Sequence, residues 1–326
     1  MKLSKIAVFT SGGDSPGMNA ALRAVVRAAR YYGIEVEGIY RGYEGMIDDD
    51  VVPLDERSVA RIVDKGGTII KSARSVAFKT KEGRQKAFDN LKKHQIDALI
   101  GIGGDGTFRG LHAFNLEFGM PVIGLPGTID NDIVGSDYTI GFDTASNTAI
   151  EAIDKIRDTA TSHNRLFLIE VMGRDAGFIA LRSAIASGAK AVMLPETHTE
   201  PSELLAKIKQ SGLNKRKTSN IVIVSEGNKN GNASELAEEL KSMDDSFDIK
   251  VTVLGHIQRG GKPSAYDRLL ASRLGVGAIE ALRQGQNDIM VGVRNEKLAY
   301  TPLEKATKEH HRLQDEMLHL IEILSI

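Results

Sequence analysis

The stretch Ala98-Leu99-Ile100-Gly101-Ile102-Gly103-Gly104-Asp105-Gly106-Thr107 joins a short apolar run to a glycine-rich loop that carries one carboxylate. A short apolar run is typical of a strand that is covered on both faces of a sheet. In open sheets of such strands, ligands bind beyond the carboxyl ends of the strands, which is where this loop stands. The stretch therefore predicts an α/β fold with a ligand site at this strand end.

Similar apolar runs recur along the chain and alternate with helical patterns. The other predicted strands are Ile6–Thr10, Val122–Leu125, Leu166–Val171, Ala191–Leu194, Ile221–Val224, Lys250–Leu254 and Met290–Val293. The predicted helices are Ala20–Tyr32, Gly83–His94, Asp143–Thr161, Asp175–Ser187, Pro201–Ser211 and Ala265–Arg283, with one or two closing helices from Leu303 to Ile326. Because strand–helix alternation is typical of βαβ units, we expect an α/β fold with mainly parallel sheets.

The composition excludes several classes of protein. A chain of 326 residues suffices for roughly two domains. Its net charge of -1 gives no overall attraction to nucleic acid or to a membrane surface. Cysteine is absent, which excludes disulfides and thiolate chemistry. The apolar run Ile6–Phe9 is too short for a signal-peptide core or a membrane span. We expect a cytoplasmic protein that binds neither nucleic acid nor membrane.

Two further glycine-rich loops follow predicted strands, Ser11-Gly12-Gly13-Asp14 and Pro126-Gly127-Thr128. Glycine lets a backbone approach a phosphate, and a following helix offers unpaired N–H groups and the positive end of its dipole. The first loop is equally compatible with a tight strand-to-helix turn, and it is not a Walker A loop because no Gly-Lys-Ser/Thr follows. Three such loops at strand ends suggest one composite site.

Aspartates follow the second and third of these strands. Asp105 can supply an oxygen ligand to a magnesium nucleotide, or it can cap the next helix. Asp130 and Asp132 lie two residues apart, and in an extended stretch they would face the same side. Phosphoryl transfer to a hydroxyl needs a carboxylate to take the proton and groups that order the metal and phosphate, roles that these two could divide. The alternative is an acidic turn.

Five motifs in this order resemble those of bacterial ATP-dependent 6-phosphofructokinases, the type A family. They are the three loops, Val171-Met172-Gly173-Arg174 and Leu254-Gly255-His256-Ile257-Gln258-Arg259-Gly260-Gly261, and the resemblance runs from about Ile6 to about Asn295. It implies transfer of the γ-phosphoryl group of Mg·ATP to the 1-hydroxyl of fructose 6-phosphate, the committed step of glycolysis. It also implies two Rossmann-like domains, a larger ATP-binding one (1–140 and 255–302) and a smaller one for sugar phosphate and effector (141–254 and 303–326).

The resemblance implies a role for each matching residue. The ATP site would be lined by Gly13, Arg74, Ser75, Gly104, Asp105, Gly106 and Thr107. Asp105 would serve Mg²⁺. The catalytic residues would be Asp130, Thr128, Asp132, Arg174 and Arg74. Of these, Asp130 would take the proton, while the threonine and both arginines hold the transferring phosphoryl group. The sugar phosphate would be held by Thr128, Ile129, Asp130, Arg165, Met172, Gly173, Arg174, Glu226, Lys250, His256, Ile257, Gln258 and Arg259. Simpler alternatives exist, with Arg74 a surface cation and Arg174 a helix cap.

Two of these residues bear on assembly. In the family, Arg165 and the residue at position 250 reach in from a neighbouring subunit, so a homotetramer with shared active sites is implied. The family usually has arginine where this chain has Lys250. Lysine keeps the charge but loses the bidentate fork, so we predict weaker binding of the 6-phosphate than in Lys250→Arg. The family often has aspartate at the position of Phe178, and nothing in the sequence explains this difference.

Two glycines bear on the phosphoryl donor. ATP users in the family resemble this chain in having Gly106 after Asp105 and Gly127 before Thr128, whereas diphosphate users carry aspartate and lysine there. An added carboxylate and lysine would crowd and recharge the pocket for the α-phosphate. The sequence therefore predicts ATP as the donor.

An effector site between subunits is also implied, for ADP or phosphoenolpyruvate. Its positions would be Arg23, Arg27, Arg157, Lys190, Lys215, Lys217 and Ser219. The first two lie four residues apart on one helix face. Lys190 stands where the family has a metal-binding glutamate, and Ser219 stands where it has a basic histidine. Because a Mg·ADP activator would lose a carboxylate ligand and meet a cation, we expect weak or absent activation by ADP.

Three other functions compete with this interpretation. A diphosphate-dependent phosphofructokinase is disfavoured by the two glycines. NAD kinases and lipid kinases share the Gly-Gly-Asp-Gly-Thr motif, but they would not explain the segments Thr128–Asp132 and His256–Gly261. A non-catalytic subunit that senses sugar phosphate or nucleotide is disfavoured because the departures from the family lie at Lys190, Ser219 and Lys250, while the catalytic positions are intact.

Overall fold

A computed structural model describes residues 3–162, 165–212, 220–308 and 311–324. The strands are β1 (Lys5–Thr10), β2 (Glu35–Ile39), β3 (Val51–Leu54), β4 (Ala98–Gly103), β5 (Val122–Thr128), β6 (Ile140–Gly141), β7 (Leu166–Val171), β8 (Ala191–Met193), β9 (Asn220–Ser225), β10 (Ile249–Val253), β11 (Ile289–Arg294) and β12 (Lys297–Pro302). The α-helices are α1 (Met18–Tyr31), α2 (Gly42–Asp48), α3 (Lys81–Lys93), α4 (Asp105–Phe118), α5 (Phe142–Ser162), α6 (Phe178–Ser187), α7 (Pro201–Gly212), α8 (Ala233–Met243), α9 (Ala265–Arg283), α10 (Leu303–Lys308) and α11 (Asp315–Leu324). Short 3₁₀ turns occupy Ala77–Lys79 and Gly255–Arg259.

The chain forms two compact units. The first comprises Met1–Ile129, Ile133–Thr144 and Arg259–His311. The second comprises Asp130–Asp132, Ala145–Gln258 and Arg312–Ile326. The larger sheet belongs to the first unit and the smaller sheet to the second.

The larger sheet has the strand order β12-β11-β5-β4-β1-β2-β3, with β6 paired to β5. Its inner strands are parallel, and the two edge strands β3 and β12 run antiparallel to their neighbours. Alternate residues of β1 serve different cores, since Ile6 and Val8 pack with α1 and α9 while Ala7 and Phe9 pack with α3 and α4. Because β1, β4 and β5 are parallel, their carboxyl ends and following loops lie at one edge of the sheet.

The smaller sheet is parallel throughout, with the order β10-β7-β9-β8. Its centre, β7 and β9, is almost wholly buried, as the apolar runs predicted. The expectation of burial was wrong for β10, in which Lys250, Val251 and Val253 are exposed. The reason is its place at the sheet edge, where it has a single neighbouring strand.

The helix predicted over Asp175–Ser187 begins later, at Phe178. The residues before it form a turn in which the Ala176 N–H donates to the Gly173 carbonyl, and the Gly177 N–H donates to the Glu196 carboxylate. The turn is therefore a separate structural feature that precedes the helix. Among the helices of the described residues, none is both long and apolar enough to cross a membrane.

Candidate active site

The first glycine loop runs from β1 to α1. Gly12 and Gly17 have positive φ angles of 83° and 111°, which residues with a β-carbon rarely adopt. The Ser11 N–H donates to the Ile102 carbonyl on β4 at 3.0 Å, so this loop is tied to the neighbouring strand. Ser72 Oγ donates to the Gly12 carbonyl at 2.9 Å, which anchors the segment that leads to Arg74.

The residues predicted near this loop differ in what they contact. The Arg74 side chain is exposed, two residues after the anchoring serine. Ser75 Oγ accepts from the Phe78 N–H at 3.1 Å and so begins the 3₁₀ turn. Arg259 Nη1 donates to the Asp14 carbonyl at 3.3 Å, and a β-carbon on Gly13 would stand 2.6 Å from it. Arg259, predicted to bind the sugar phosphate, thus lies against the loop predicted to bind ATP.

The second glycine loop leads directly into α4, which begins at Asp105. A β-carbon on Gly106 would meet no atom within 4 Å, and one on Gly104 would meet Thr128 Cβ alone, at 3.9 Å. The start of this 14-residue helix therefore faces open space, with the positive end of its dipole towards it. Asp105 is half-buried; its Oδ1 accepts from the Gly106 N–H at 2.5 Å and its Oδ2 pairs with Arg109 Nη2 at 2.8 Å.

Thr107 connects the second loop to its surroundings. It is buried, its Oγ1 donates to the Ser11 carbonyl at 3.4 Å, and its carbonyl accepts from Tyr43 Oη at 2.5 Å. Burial raises the pKa of Tyr43 well above its ordinary value, so this phenol remains a hydrogen-bond donor. A β-carbon on Gly103 would collide with Thr107 Oγ1, so glycine is required beside it.

The carboxylate predicted to bind a magnesium ion is that of Asp105, in the first unit. Within the described ranges, no group of three or more His, Cys, Asp or Glu side chains is placed to hold a metal. Mg²⁺ is commonly held by one or two carboxylates together with substrate phosphates and water, rather than by a cage made of protein alone. Asp105, at the open start of α4, fits that pattern.

The third loop leaves β5 at Thr128. A β-carbon on Gly127 would lie 3.0 Å from Ile102 Cγ2 and 3.2 Å from Met18 Cε, so the backbone there is closely packed. Thr139 Oγ1 donates to the Thr128 carbonyl at 2.6 Å. Thr128 is half-buried, and Ile129, predicted to touch the sugar, is completely buried.

In the second unit, the Asp130 carboxylate is 2% exposed and lies 3.5 Å (Oδ2 to Nε) from the guanidinium of Arg174. The prediction that both aspartates face the same side rested on the assumption that the chain is extended from Asp130 to Asp132. That assumption was wrong, because Asn131 has a φ of 54° and turns the chain between the two aspartates. Asp132 is half-buried. The structure therefore brings the Asp130 carboxylate to the Arg174 guanidinium.

The turn after β7 presents Gly173 and Arg174, both with positive φ angles (146° and 51°). Their N–H groups donate to Glu226 Oε1 at 3.1 and 2.7 Å. A β-carbon on Gly227 would collide with the Arg174 carbonyl, so glycine is needed after Glu226. Glu226, predicted to bind sugar, thus also holds the backbone turn that carries the arginine.

The motif that contains His256 and Arg259 folds as the 3₁₀ turn Gly255–Arg259. Buried Gln258 accepts from the Met172 N–H at 3.3 Å and donates to the Gly255 carbonyl at 3.0 Å, so it joins this turn to the end of β7. His256 and Ile257 are exposed on the same turn. The exposed side chains of this turn are therefore the histidine and the isoleucine, and Arg259 is half-buried.

Arg165 and Lys250 lie at the amino ends of β7 and β10, at the end of the smaller sheet opposite to Gly173 and Glu226. Their Nε and Nζ atoms pair with Asp248 Oδ2 and Oδ1, each at 2.7 Å. Hydrogen bonds from Lys250 and then Arg165 lower the pKa of Asp248. Asp248 was not predicted from the sequence, although the alternation in Asp248-Ile249-Lys250 places it on the side of the lysine. The six residues of β7, roughly 20 Å, separate Arg165 from Gly173.

The residues predicted for an effector are described in part. Burial lowers the pKa of Arg23, and the charge of Arg27 on the same helix lowers it further. The Arg157 guanidinium donates to the Ser187 carbonyl. Lys190 is half-buried, and its burial lowers its pKa. Lys215, Lys217 and Ser219 lie outside the described residues. Nothing in the structure explains phenylalanine at the start of α6.

Comparisons with known proteins give a consistent result. The family model for phosphofructokinase matches residues 5–282. The chain is 52% identical over 321 residues to "ATP-dependent 6-phosphofructokinase 2" of Bacteroides thetaiotaomicron, covering 98% of both chains. It is 52% identical over 324 residues to "ATP-dependent 6-phosphofructokinase 1" of Thermus thermophilus, covering 99% of this chain and 100% of the other.

Solved structures share the fold. Phosphofructokinase from Saccharomyces cerevisiae superposes with a TM-score of 0.89 at 36% identity, over 99% of this chain and 47% of the yeast chain. The present chain thus spans about half the length of that relative. A pyrophosphate-dependent phosphofructokinase from Marinobacter aquaeolei superposes with a TM-score of 0.84 at 21% identity, over 99% of this chain and 91% of that chain. At that identity the likeness concerns the fold alone.

Proposed function

This chain belongs to the phosphofructokinase family, and we propose that it is an ATP-dependent 6-phosphofructokinase. The reaction moves the γ-phosphoryl group of Mg·ATP to the 1-hydroxyl of fructose 6-phosphate and yields fructose 1,6-bisphosphate and ADP. The observation that carries the proposal is the buried Asp130 carboxylate beside the Arg174 guanidinium. The names of relatives that match nearly the whole chain support it.

The pair Asp130 and Arg174 suits the two needs of phosphoryl transfer. The carboxylate accepts the proton of the attacking hydroxyl, which makes the oxygen a better nucleophile. The guanidinium holds the transferring group and balances the charge on its oxygens in the transition state. Glu226 accepts from the N–H groups of Gly173 and Arg174, so the turn that carries the cation is held in place before substrate arrives. Such preorganisation is a main source of rate in this chemistry.

The first unit supplies the nucleotide groups. Phosphates approach the glycine loops closely, and the N-terminus of α4 favours their negative charge. Asp105 would hold Mg²⁺, with phosphates and water as the remaining ligands, and its pair with Arg109 would open to allow this. The ion supplies charge neutralisation at the β- and γ-phosphates. Arg74 would add a second cation, since its side chain is exposed beside the anchored Ser72.

The choice of ATP over diphosphate rests on two glycines with different surroundings. At Gly127 a longer side chain would press on Ile102 and Met18. At Gly106 the space is open, so an aspartate would fit and would bring a negative charge to the start of α4. Both glycines thus favour a bulky, highly charged nucleotide, in agreement with the names of the relatives.

We also propose a homotetramer with shared sites. Arg165 and Lys250 stand at the opposite edge of the smaller sheet from Gly173 and Glu226, so they suit the sugar phosphate of a neighbouring subunit. The effector positions suit an anion such as phosphoenolpyruvate, while Lys190 disfavours Mg·ADP. A strong rise in rate on adding Mg·ADP at low fructose 6-phosphate would contradict that expectation. The cytoplasm is the proposed location.

The catalytic assignment is tested by Asp130→Ser. We expect turnover with Mg·ATP and fructose 6-phosphate to fall by about 10²- to 10⁴-fold, because the general base is lost. Binding of fructose 6-phosphate, measured by calorimetry, should remain within a factor of about three. Unchanged turnover in this variant would contradict the role of Asp130 as the base. A loss of fructose 6-phosphate binding with turnover retained would show instead that Asp130 is a binding residue.

A further inference from the structure

A fully buried carboxylate outside the residues described so far lies in the first turn of α9. Asp267 has no exposed surface. Its Oδ1 accepts from the Gly141 N–H at 2.9 Å, and its Oδ2 accepts from the Thr144 N–H at 2.8 Å and from Thr144 Oγ1 at 2.5 Å. A carboxylate is costly to bury unless hydrogen bonds replace water, and three such bonds are present. The free-energy cost of burying the Asp267 carboxylate indicates that it has a function.

The groups that Asp267 binds begin α5. Thr144 is in the first turn of that helix, where N–H groups lack partners within the helix, and the carboxylate supplies one from another element. Ser264, which begins α9, completes the contact from the other side. Its N–H donates to Thr144 Oγ1 at 2.9 Å and its Oγ donates to Asp143 Oδ2 at 2.7 Å. The two helix starts are therefore held together.

The same contact holds β6 against the strand that leads to the proposed base. Ile140 pairs with Gly127 and Gly141 pairs with Thr128 on β5. Thr139, just before β6, donates to the Thr128 carbonyl at 2.6 Å. A continuous set of hydrogen bonds thus runs from the Asp267 carboxylate to the backbone two residues before Asp130.

The first glycine loop packs on this short strand as well. A β-carbon on Gly17 would stand 2.7 Å from Ile140 Cγ2 and 3.6 Å from Asp267 Cβ. A β-carbon on Gly141 would stand 2.6 Å from Ser15 Cβ. Any shift of β6 would therefore reach both the end of β5 and the loop proposed for the nucleotide.

We propose that Asp267 is a positioning residue for phosphoryl transfer: by binding Gly141 and Thr144 it sets the place of β6, and through β6 the place of Thr128 and the segment after it. This inference rests on the proposed function. Asp267 would contact neither substrate and would act through the backbone that it binds. Its removal changes the alignment of the reacting groups, to which phosphoryl transfer is very sensitive.

Asp267→Asn is the direct test, because the amide keeps the size of the side chain. It replaces one acceptor oxygen with an NH₂ group, which would face the donors of Gly141 or Thr144. We expect kcat to fall by about 10- to 100-fold, the loss that a misplacement of about 1 Å produces. The KM for fructose 6-phosphate should stay within a factor of about three, because binding groups remain. A kcat within a factor of about two of the unsubstituted chain would overturn the proposal.

Asp97→Asn is a matched control. Asp97 also accepts three hydrogen bonds, from the Ser4 N–H, Ser4 Oγ and the Lys5 N–H at 2.8, 2.8 and 2.9 Å. It lies at the amino ends of β1 and β4, the edge away from the three glycine loops. The control should lose stability and keep its kcat. An equal loss of kcat in both variants would mean that Asp267 has a purely structural role and would overturn the proposal.

Hydrogen exchange separates this inference from the proposed function. In Asp267→Asn, amides of residues 127–144 should exchange at least about tenfold faster, whereas in Asp97→Asn they should not change. If the unsubstituted chain has no phosphofructokinase activity but this local change occurs, the proposed function fails, and with it the catalytic part of the inference, while the placement of β6 by Asp267 stands. If exchange over 127–144 is unchanged, the positional role fails, whatever the activity. Should Asp267→Asn not fold, Thr144→Val removes one of the three bonds to Asp267 and the bond from the Ser264 N–H. A smaller loss of kcat in the same direction is expected, and an unchanged kcat would overturn the proposal.

Discussion

The cations Arg165 and Lys250 share one carboxylate, Asp248, which holds both at the amino edge of the smaller sheet. Held in this way, they would lose less conformational freedom on binding the proposed phosphate. The two differ in geometry, because arginine presents a planar fork of donors and lysine presents one compact charge. The sequence identified both cations, but Asp248 needed the strand register to be found, since an isolated aspartate before a strand has no distinctive signature.

Lys250→Arg is therefore expected to improve binding of the sugar phosphate. A guanidinium can bind the 6-phosphate with two parallel hydrogen bonds, so the KM for fructose 6-phosphate should fall by roughly 3- to 10-fold with kcat little changed. Steady-state kinetics at saturating Mg·ATP measures this. Lys229→Arg, an exchange at an exposed lysine of the same unit, is the control and should leave the KM unchanged. An unchanged or higher KM in Lys250→Arg would speak against a phosphate ligand at this position.

Gly106→Asp is expected to weaken ATP without weakening the fold. The position faces open space, so the side chain fits, but its charge would stand near the triphosphate at the proposed ATP site. We expect the KM for ATP to rise by about tenfold or more, in line with one added like charge. Ser202→Asp, which places the same residue at the second position of α7, is the control. A KM for ATP that stays constant in Gly106→Asp would show that the phosphates do not approach the start of α4.

Among the elements, the sequence predicted some to the residue and missed others, such as α4 and α8. β7 and α9 begin and end where the patterns predicted them. Helix α4 was missed because glycines interrupt its pattern; one of them, Gly110, makes room for Tyr43, since a β-carbon there would stand 2.6 Å from Tyr43 Oη. The exposure of β10 could not be predicted because a strand's place at a sheet edge depends on the whole topology.

Because Asp267 is buried in the contact between α5 and α9, we predict that the stability of the chain depends on pH. Burial raises the pKa of Asp267 to about 6, and the neighbouring charge of Asp143 adds to the rise. The folded chain then binds this proton more tightly than the unfolded chain, so this group's contribution to the free energy of unfolding decreases as pH rises from about 4 to about 6.

Urea unfolding at pH 5 and pH 7 should show this as a difference between variants. Because other carboxylates also titrate, we compare the unsubstituted chain with Asp267→Asn. From pH 5 to pH 7 the unsubstituted chain should lose more stability than the variant, by an amount on the order of 1 kcal/mol. Equal pH dependence in the two chains would contradict a raised pKa at Asp267.

At the scale of the whole molecule, motif order predicted the family, while the contacts of single site residues needed the structure. The glycine loops stand at strand ends as expected, and Asp130 meets Arg174. The contacts of Gln258 with β7 and of Arg259 with the first glycine loop were not predicted, because both residues are held by backbone atoms distant in sequence. Such contacts leave no local pattern of residue types.

The central claim, an ATP-dependent phosphofructokinase, is tested most directly by the donor. Formation of fructose 1,6-bisphosphate from fructose 6-phosphate is measured in a coupled assay, once with Mg·ATP and once with Mg·diphosphate. We predict product with ATP and none above background with diphosphate. Product with diphosphate alone would contradict the donor, and product with neither would contradict the enzyme itself.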